Sequence, residues 1–528
     1  MKHGSVESAA GVADRSGAVA RWIPSSVAPA VAAALAVTAV VAGWRGTDLA
    51  AQVFRADLVK QYGIVLWNGQ WFGGHATLSY SVLTPVLSAL VGPVAVAIAS
   101  GVVGAVLFER LARHQLGATS WLGAAWFGAG TAANVVVGRV PFALGVALGL
   151  AAMLALQRRL VVLAAIAALL TTLASPVAGV FVVIGGAAWA LGGGRQRWWP
   201  GALVAAAVLL PLAVLHLVFP GDGFFPYEPW AVATDVALAA LCFALASRAH
   251  VTLRIGAVLY ASMAVLAFAV PNPLGGNISR FSQFFVGPIL ACLLWPRRKL
   301  LVGLLAAPLL AWQWTPALQT IVVPENPTEA SRSYYEPVVE QVLARTAVPG
   351  RMEIPVTVNH WESAYVADRI PLARGWERQL DLAYNPVFYD GSLDAASYER
   401  WLIDNGVQFV ALPDAALDDS SATEAQLLAS APPYLELLWS GPHWQLWRVR
   451  GYQGLVSGPA TVVRQDATGF QLHVEASGDV IIRARPSPHW HVDGEGCVSS
   501  TDDGWTLLKG LQPGTVDLTQ QWRGSPCT

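Results

Sequence analysis

Residues 46–75 read GTDLAAQVFRADLVKQYGIVLWNGQWFGGH. Apolar runs flank them, 27–44 before and 82–107 after. A membrane-spanning helix needs about 20 apolar residues, so both flanks read as membrane passes and the thirty residues as the loop between them. The loop is not plain. Val53 and Leu58 recur at helical spacing among Arg55, Asp57 and Lys60, which predicts an amphipathic helix lying along a membrane face. The glycine-rich WNGQWFGGH after it is unfit for a helix and sets Trp67, Trp71 and Phe72 at headgroup depth.

Outward from this loop the same alternation continues. Apolar runs lie near 119–137, 141–157, 160–174, 177–192, 200–219, 230–247, 254–270, 281–296 and 299–316. With the first two they make about eleven passes. Ser175-Pro176 splits one long run, and two short helices meeting there are preferred to one kinked helix. The 528-residue chain is 55% hydrophobic and 13% charged, with mean hydropathy +0.48. Soluble proteins carry about a quarter charged residues. Net charge is −1, so nothing favours nucleic acid as a partner.

Basic residues orient the passes. One set of loops holds Arg110, Arg113, Arg158, Arg159, Arg195, Arg197, Arg248, Arg254 and the RRK at 297–299; the opposite set holds few bases. The positive-inside rule makes the first set cytoplasmic. The polar residues 1–26 then read as a disordered cytoplasmic tail, and everything from Ile321 onward lies outside. The expected fold is a polytopic α-helical membrane domain, 27–318, whose first extracytoplasmic loop is 45–81. It is followed by an extracytoplasmic α/β domain, 319–450, and a β-sandwich-like domain, 451–528. The helix–glycine–strand pattern of YERWLIDNGVQFVALPD at 398–414 supports the α/β unit. Short alternating runs such as DVIIRARPS and GTVDLTQQW support the sandwich. Trp490 and Trp505 there are either core or a carbohydrate platform. Cys497 and Cys527 lie in the tail and pair as a disulfide if it faces an oxidising compartment.

Several outer-loop residues carry candidate chemistry. Asp48, at the exit of the first pass, is either a general base in a polar cavity or a helix N-cap. PNPLGGNISRF, 271–281, sets Asn277, Ser279 and Arg280 at a helix start, where backbone amides and a guanidinium suit an anion or snorkel to headgroups. GDGFFPYEPW, 221–230, adds Asp222, Glu228 and aromatics that stack on sugars or form a membrane belt. His75 is a hydrogen-bonding candidate, Asp235 a residue reaching up to the interface, and Arg139 a turn residue. No phosphate-cradling glycine loop, dinucleotide fingerprint, metal-spaced His/Cys cluster or Gly-x-Ser-x-Gly is found, which argues against a nucleotide-driven pump.

TDLAAQVFRADLV, LWNGQWFGGH and YSVLTPVL, with the many passes and the outer tail, resemble the GT-C superfamily of membrane glycosyltransferases. Within it they look like actinobacterial arabinosyl- and mannosyltransferase-like proteins, and the alanine-rich, lysine-poor usage fits such a source. YERWLIDNGVQFVALPD and IRARPSPHWHVDGEG resemble the tail of the YfhO-like branch. The resemblance implies a polyprenyl-phosphate-linked sugar as donor and an envelope glycan or lipid as acceptor, at the plasma membrane. Asp48 would be the catalytic base, and Arg280 with Asn277 and Ser279 would hold the donor phosphate. Trp67, Asn68, Trp71, His75 and Glu228 would line the acceptor side. Many relatives carry paired acids in the first loop; here Thr47 precedes a single Asp48. Some use a divalent cation, for which Asp48 with Asp222 or Glu228 is the available set. The competing expectations are a non-catalytic glycan-binding scaffold and a transporter or flippase of a lipid-linked glycan.

Overall fold

The computed structural model describes residues 26–221, 223–295, 297–322 and 328–527. The amino-terminal tail expectation and Asp222 lie outside the described residues. Among the described residues six helices are long and apolar enough to cross a membrane: Pro93–Leu116, Val140–Gln157, Arg195–Val218, Val251–Ala269, Gly275–Leu294 and Lys299–Val322. Shorter apolar helices span Val27–Val41, Val161–Ala174, Pro176–Leu191 and Pro229–Leu245. In hydrocarbon every backbone polar group must find its partner inside the segment, which these Ala/Val/Leu runs do as helices. The chain breaks at Ser175, whose hydroxyl caps the following helix by accepting from the Ala178 amide at 3.4 Å.

The chain divides into two compact units. One comprises Met1–Gly46, Val94–Val214 and Phe225–Val323; the other Thr47–Pro93, Leu215–Phe224 and Pro324–Thr528. The first loop thus groups with the tail and not with the membrane helices. The helical unit has an aromatic centre. Phe108 stacks on Phe127 at 4.2 Å, Phe284 meets Phe127 edge-on at 5.1 Å, and Phe281 packs on Tyr260 at 4.8 Å. Large apolar residues such as Leu210, Val162 and Leu300 are exposed, as lipid-facing positions require.

The second unit is built on three four-stranded sheets and a small hairpin. The hairpin pairs β1 (Trp67–Asn68) with β2 (His75–Ala76). The α/β sheet has order β3-β4-β6-β5, from β3 (Arg351–Glu353), β4 (Val407–Pro413), β5 (Leu435–Ser440) and β6 (Trp444–Val449); β3 and β4 are parallel and the other pairings antiparallel. The helix Ala395–Asp404 leads into β4 and is opened by a reciprocal Asp394–Ser397 capping box. Two sheets form the sandwich. One runs β12-β13-β10-β7, from β7 (Val456–Ser457), β10 (Gly478–Ile482), β12 (Cys497–Ser500) and β13 (Thr506–Leu511). The other runs β11-β14-β9-β8, from β8 (Ala460–Gln465), β9 (Gly469–Val474), β11 (Trp490–Val492) and β14 (Gly514–Gln520). Trp490, Leu472, Ile482, Leu508 and Leu518 fill the space between them. Trp490 is therefore core, and Trp505 is buried with the Arg485 guanidinium 4.4 Å over its ring. Cys497 and Cys527 form a disulfide with Cα atoms 4.9 Å apart.

Candidate functional site

In the helical unit, one narrow cleft is lined in part by polar residues. The helix Trp121–Val137 stops at Gly138, and the turn places Arg139 immediately before the helix Val140–Gln157. Arg139, Arg280, Asn134, Gln283 and Gln313 line the cleft together with Phe142, and among the described residues no carboxylate does. The Arg280 guanidinium lies 5.5 Å above the Phe142 ring. Gln313 accepts from Trp126 Nε1 at 2.9 Å, while its own Nε2 is buried without a hydrogen bond. Two guanidiniums, carboxamide donors and the positive end of a helix make a field suited to an anion. A buried donor left unmade costs about 1–3 kcal/mol, so the cleft favours a ligand that accepts.

A buried carboxylate holds the chain on either side of Arg280. Asp235, expected at the interface, is instead fully buried. It accepts hydroxyls from Tyr227, from Ser282 and, at 2.5 Å, from Ser279. Trp312 Nε1 donates to Ser282 Oγ at 2.8 Å, and Tyr260 donates to the Ile278 carbonyl at 3.2 Å. These bonds brace a π-helical turn, Ser282–Val286, directly after Arg280; such turns are frequent at functional sites. The Ser279 hydroxyl is thereby committed to Asp235 and serves the cleft only through the loop it holds. Gly275 sits at φ 41°, and a Cβ there would run into the Phe225 carbonyl oxygen, so this close approach needs glycine. Asn277 lies on the same turn, half-buried, its amide donating to the Leu274 carbonyl. Glu228 is exposed just before the helix Pro229–Leu245.

In the other unit, the helix Leu49–Tyr62 does not lie bare along a membrane face. Eight of its 14 residues are buried, Arg55 among them. Its outer side carries a Lys60–Asp57 pair and the exposed Gln61. Arg55 pairs with Glu377 and is caged by Tyr80, Trp376 and Trp71, with ring centroids 4.0, 5.2 and 5.5 Å away. A guanidinium leaves water only where such partners replace hydration. Asp48 precedes this helix with helical backbone angles and no side-chain cap, so the N-cap alternative is not what it does. Thr47 donates to its carboxylate at 3.3 Å, and Trp376 Nε1 donates to the Thr47 carbonyl at 2.8 Å. Asp48 and Arg280 belong to different units.

WNGQWFGGH is interior. Trp71 stacks on Phe54 at 4.5 Å and on His75 at 5.5 Å, and donates to the Ser363 carbonyl at 3.0 Å. Trp67 meets Trp490 edge-on at 5.5 Å. The buried Asn68 side chain accepts from the Gln70 amide at 3.0 Å. Burial first, and Arg55 second, push His75 down to about 3, so it is neutral. Backbone bonds then sew the turn to both tail modules: Leu372 donates to the Gln70 carbonyl, Gly69 to Ala467 and Arg485 to Gly73. Trp67, Asn68, Trp71 and His75 hold the unit together, and none offers an open face to a sugar.

Polar groups the sequence reading passed over gather near the carboxyl ends of β3 and β4. His360 has a left-handed backbone, φ 57°, a conformation uncommon for non-glycine residues. Its Nδ1 lies 3.8 Å from Glu362 Oε1, and neither atom makes a hydrogen bond. Burial lowers His360 to about 4, with Asp418, Arg378, Asp48 and Asp381 the charges facing it. Burial lifts Glu362 to about 7, despite the Thr357 hydroxyl at 2.6 Å. Deeper still, Arg374 is held by Asp381 at 2.6 Å and Glu424 at 3.4 Å, and burial keeps Glu353 well above the carboxylate range.

Among the described residues no three His, Cys, Asp or Glu side chains cluster to hold a metal ion; Asp222 lies outside them. A scan of the chain against protein-family models finds no match. A search of curated proteins finds none either.

Proposed function

We propose that this chain is a multi-pass membrane glycosyltransferase that transfers a sugar from a polyprenyl-phosphate donor to a cell-envelope acceptor. One observation carries the reading: Arg139 and Arg280 share an acid-free cleft with an unsatisfied carboxamide donor. That is the chemistry a lipid-borne phosphate needs. Arg280 and Arg139 hold the phosphate as negative charge grows on it; the attacking hydroxyl gives its proton to a base, the role that the first-loop resemblance gives Asp48. The new C–O bond forms as the sugar–phosphate bond breaks, with inversion, and no nucleotide enters. The reading takes the six long helices, the four shorter ones and Trp121–Val137 as its eleven passes. The N-terminus is cytoplasmic and the disulfide-bearing tail extracytoplasmic.

A second reading, a non-catalytic glycan scaffold, is favoured by one fact. The aromatic residues of the first loop are spent on packing. The test is transfer from a panel of polyprenyl-phosphate sugars by the full chain in liposomes. Asp48→Asn and Arg280→Gln should each abolish transfer while the Cys497–Cys527 disulfide still forms. Wild-type-like transfer by Asp48→Asn would overturn the catalytic reading. Intact donor binding by Arg280→Gln would overturn the assignment of the cleft.

A further inference from the structure

The tail carries one tryptophan that packing does not explain. Trp522 is 70% exposed, whereas every other described tryptophan of its unit is buried or half-buried. Its neighbours show where it sits. The ring lies 6.0 Å from that of Phe219 and 6.2 Å from His489. The His489 ring lies tilted against that of Phe219 at 5.2 Å and its Nε2 donates to the Val218 carbonyl at 3.1 Å. Val218 is the last residue of the helix Trp198–Val218. Thus β11, through His489 just before it, and the chain just after β14 grip the end of an apolar helix, and Trp522 stands beside that end facing outward.

The helix itself sets the depth. Its 21 residues rise about 31 Å at 1.5 Å each, close to the roughly 30 Å of bilayer hydrocarbon. It opens on exposed Trp198 and Trp199 and closes beside Trp522, with Leu210 and Leu217 bare between them. Tryptophan flanking a span of this length is the pattern of interface anchoring. Arg523 is exposed next to Trp522 and can pair with headgroup phosphate.

We propose that Trp522 and Arg523 form a lipid-binding foot through which the β-sandwich rests on the bilayer surface, its occupant being the headgroup layer around the end of the Trp198–Val218 helix. The proposal stands independently of the glycosyltransferase reading and of which side of the membrane the tail occupies.

The test uses the full chain with Cys242 and Cys292 replaced by alanine, reconstituted in phosphatidylcholine/phosphatidylglycerol nanodiscs. A fluorophore is attached at Trp522→Cys or, as a control on the same sandwich, at the exposed Asp502→Cys. Retained Cys497–Cys527 oxidation reports folding of both. Headgroup-depth nitroxide lipids should quench the label at 522 several-fold more than the label at 502, and aqueous iodide should do the reverse. Iodide quenching at 522 equal to that at 502, with no lipid quenching, would overturn the proposal and leave Trp522 as a water-facing platform. If the substituted label itself fails to fold, the intact foot is probed by Arg523→Glu, which should weaken quenching of native tryptophan emission by anionic nitroxide lipid; unchanged quenching counts against the foot.

Discussion

Replacing Glu362 by glutamine should remove the pH dependence that this one carboxyl imposes on the tail-containing unit. Glu362 is held at about 7, first by burial, against an ordinary 4.5. A raised acid pKa means the folded state keeps its proton where the unfolded chain has lost it. The group is therefore without cost below about pH 4.5, and stability falls as pH rises from there to about 7. The rise from 4.5 to about 7, at about 1.36 kcal/mol per tenfold change in proton affinity, amounts to about 3 kcal/mol at and above neutrality. The substituted glutamine carries no charge, can still accept from Thr357, and turns an amide toward the orphaned His360 Nδ1. Urea titrations of wild type and variant, full chain in micelles and followed by tryptophan emission, give the difference at each pH. It should be near zero at about pH 4 and reach about 3 kcal/mol in favour of the variant by about pH 8. A difference that does not change with pH would refute the reasoning, because any purely steric effect of the substitution is pH-independent.

Three further outcomes follow from the same unit. Glu377→Gln strands the Arg55 guanidinium in its aromatic cage and should cost about 3–5 kcal/mol in the same urea titration; Arg55→Met with Glu377→Leu together should recover most of it. Gly74→Ala drives a Cβ into the Trp67 ring at φ 117°, so the hairpin should open and the Trp67 side chain should become accessible to iodide. Cys497→Ser releases a loop closed over 30 residues and should lower stability by about 3–4 kcal/mol, equal to the effect of reducing the wild type.

What the sequence by itself determined is the material of this protein. Runs of about 20 apolar residues have one way to satisfy their backbone in lipid, so the helical membrane class follows from composition and length alone. The Ser175 break, the glycine-stopped helix before β4 and the alternating strands after residue 451 are equally local, because caps, proline and period-two patterning act over a few residues. The tertiary structure decided who meets whom. Trp71 finds its acceptor 292 residues away and Arg55 its counter-charge 322 residues away, so an aromatic loop that reads as a membrane-surface wall became the core under a tail. Arg139 read as a turn residue until Arg280 and Gln313 were brought beside it, and Asp235 read as an interfacial acid until three hydroxyls closed on it. Burial of a charge is settled by the partners that replace its water, and no window of neighbouring residues contains those partners.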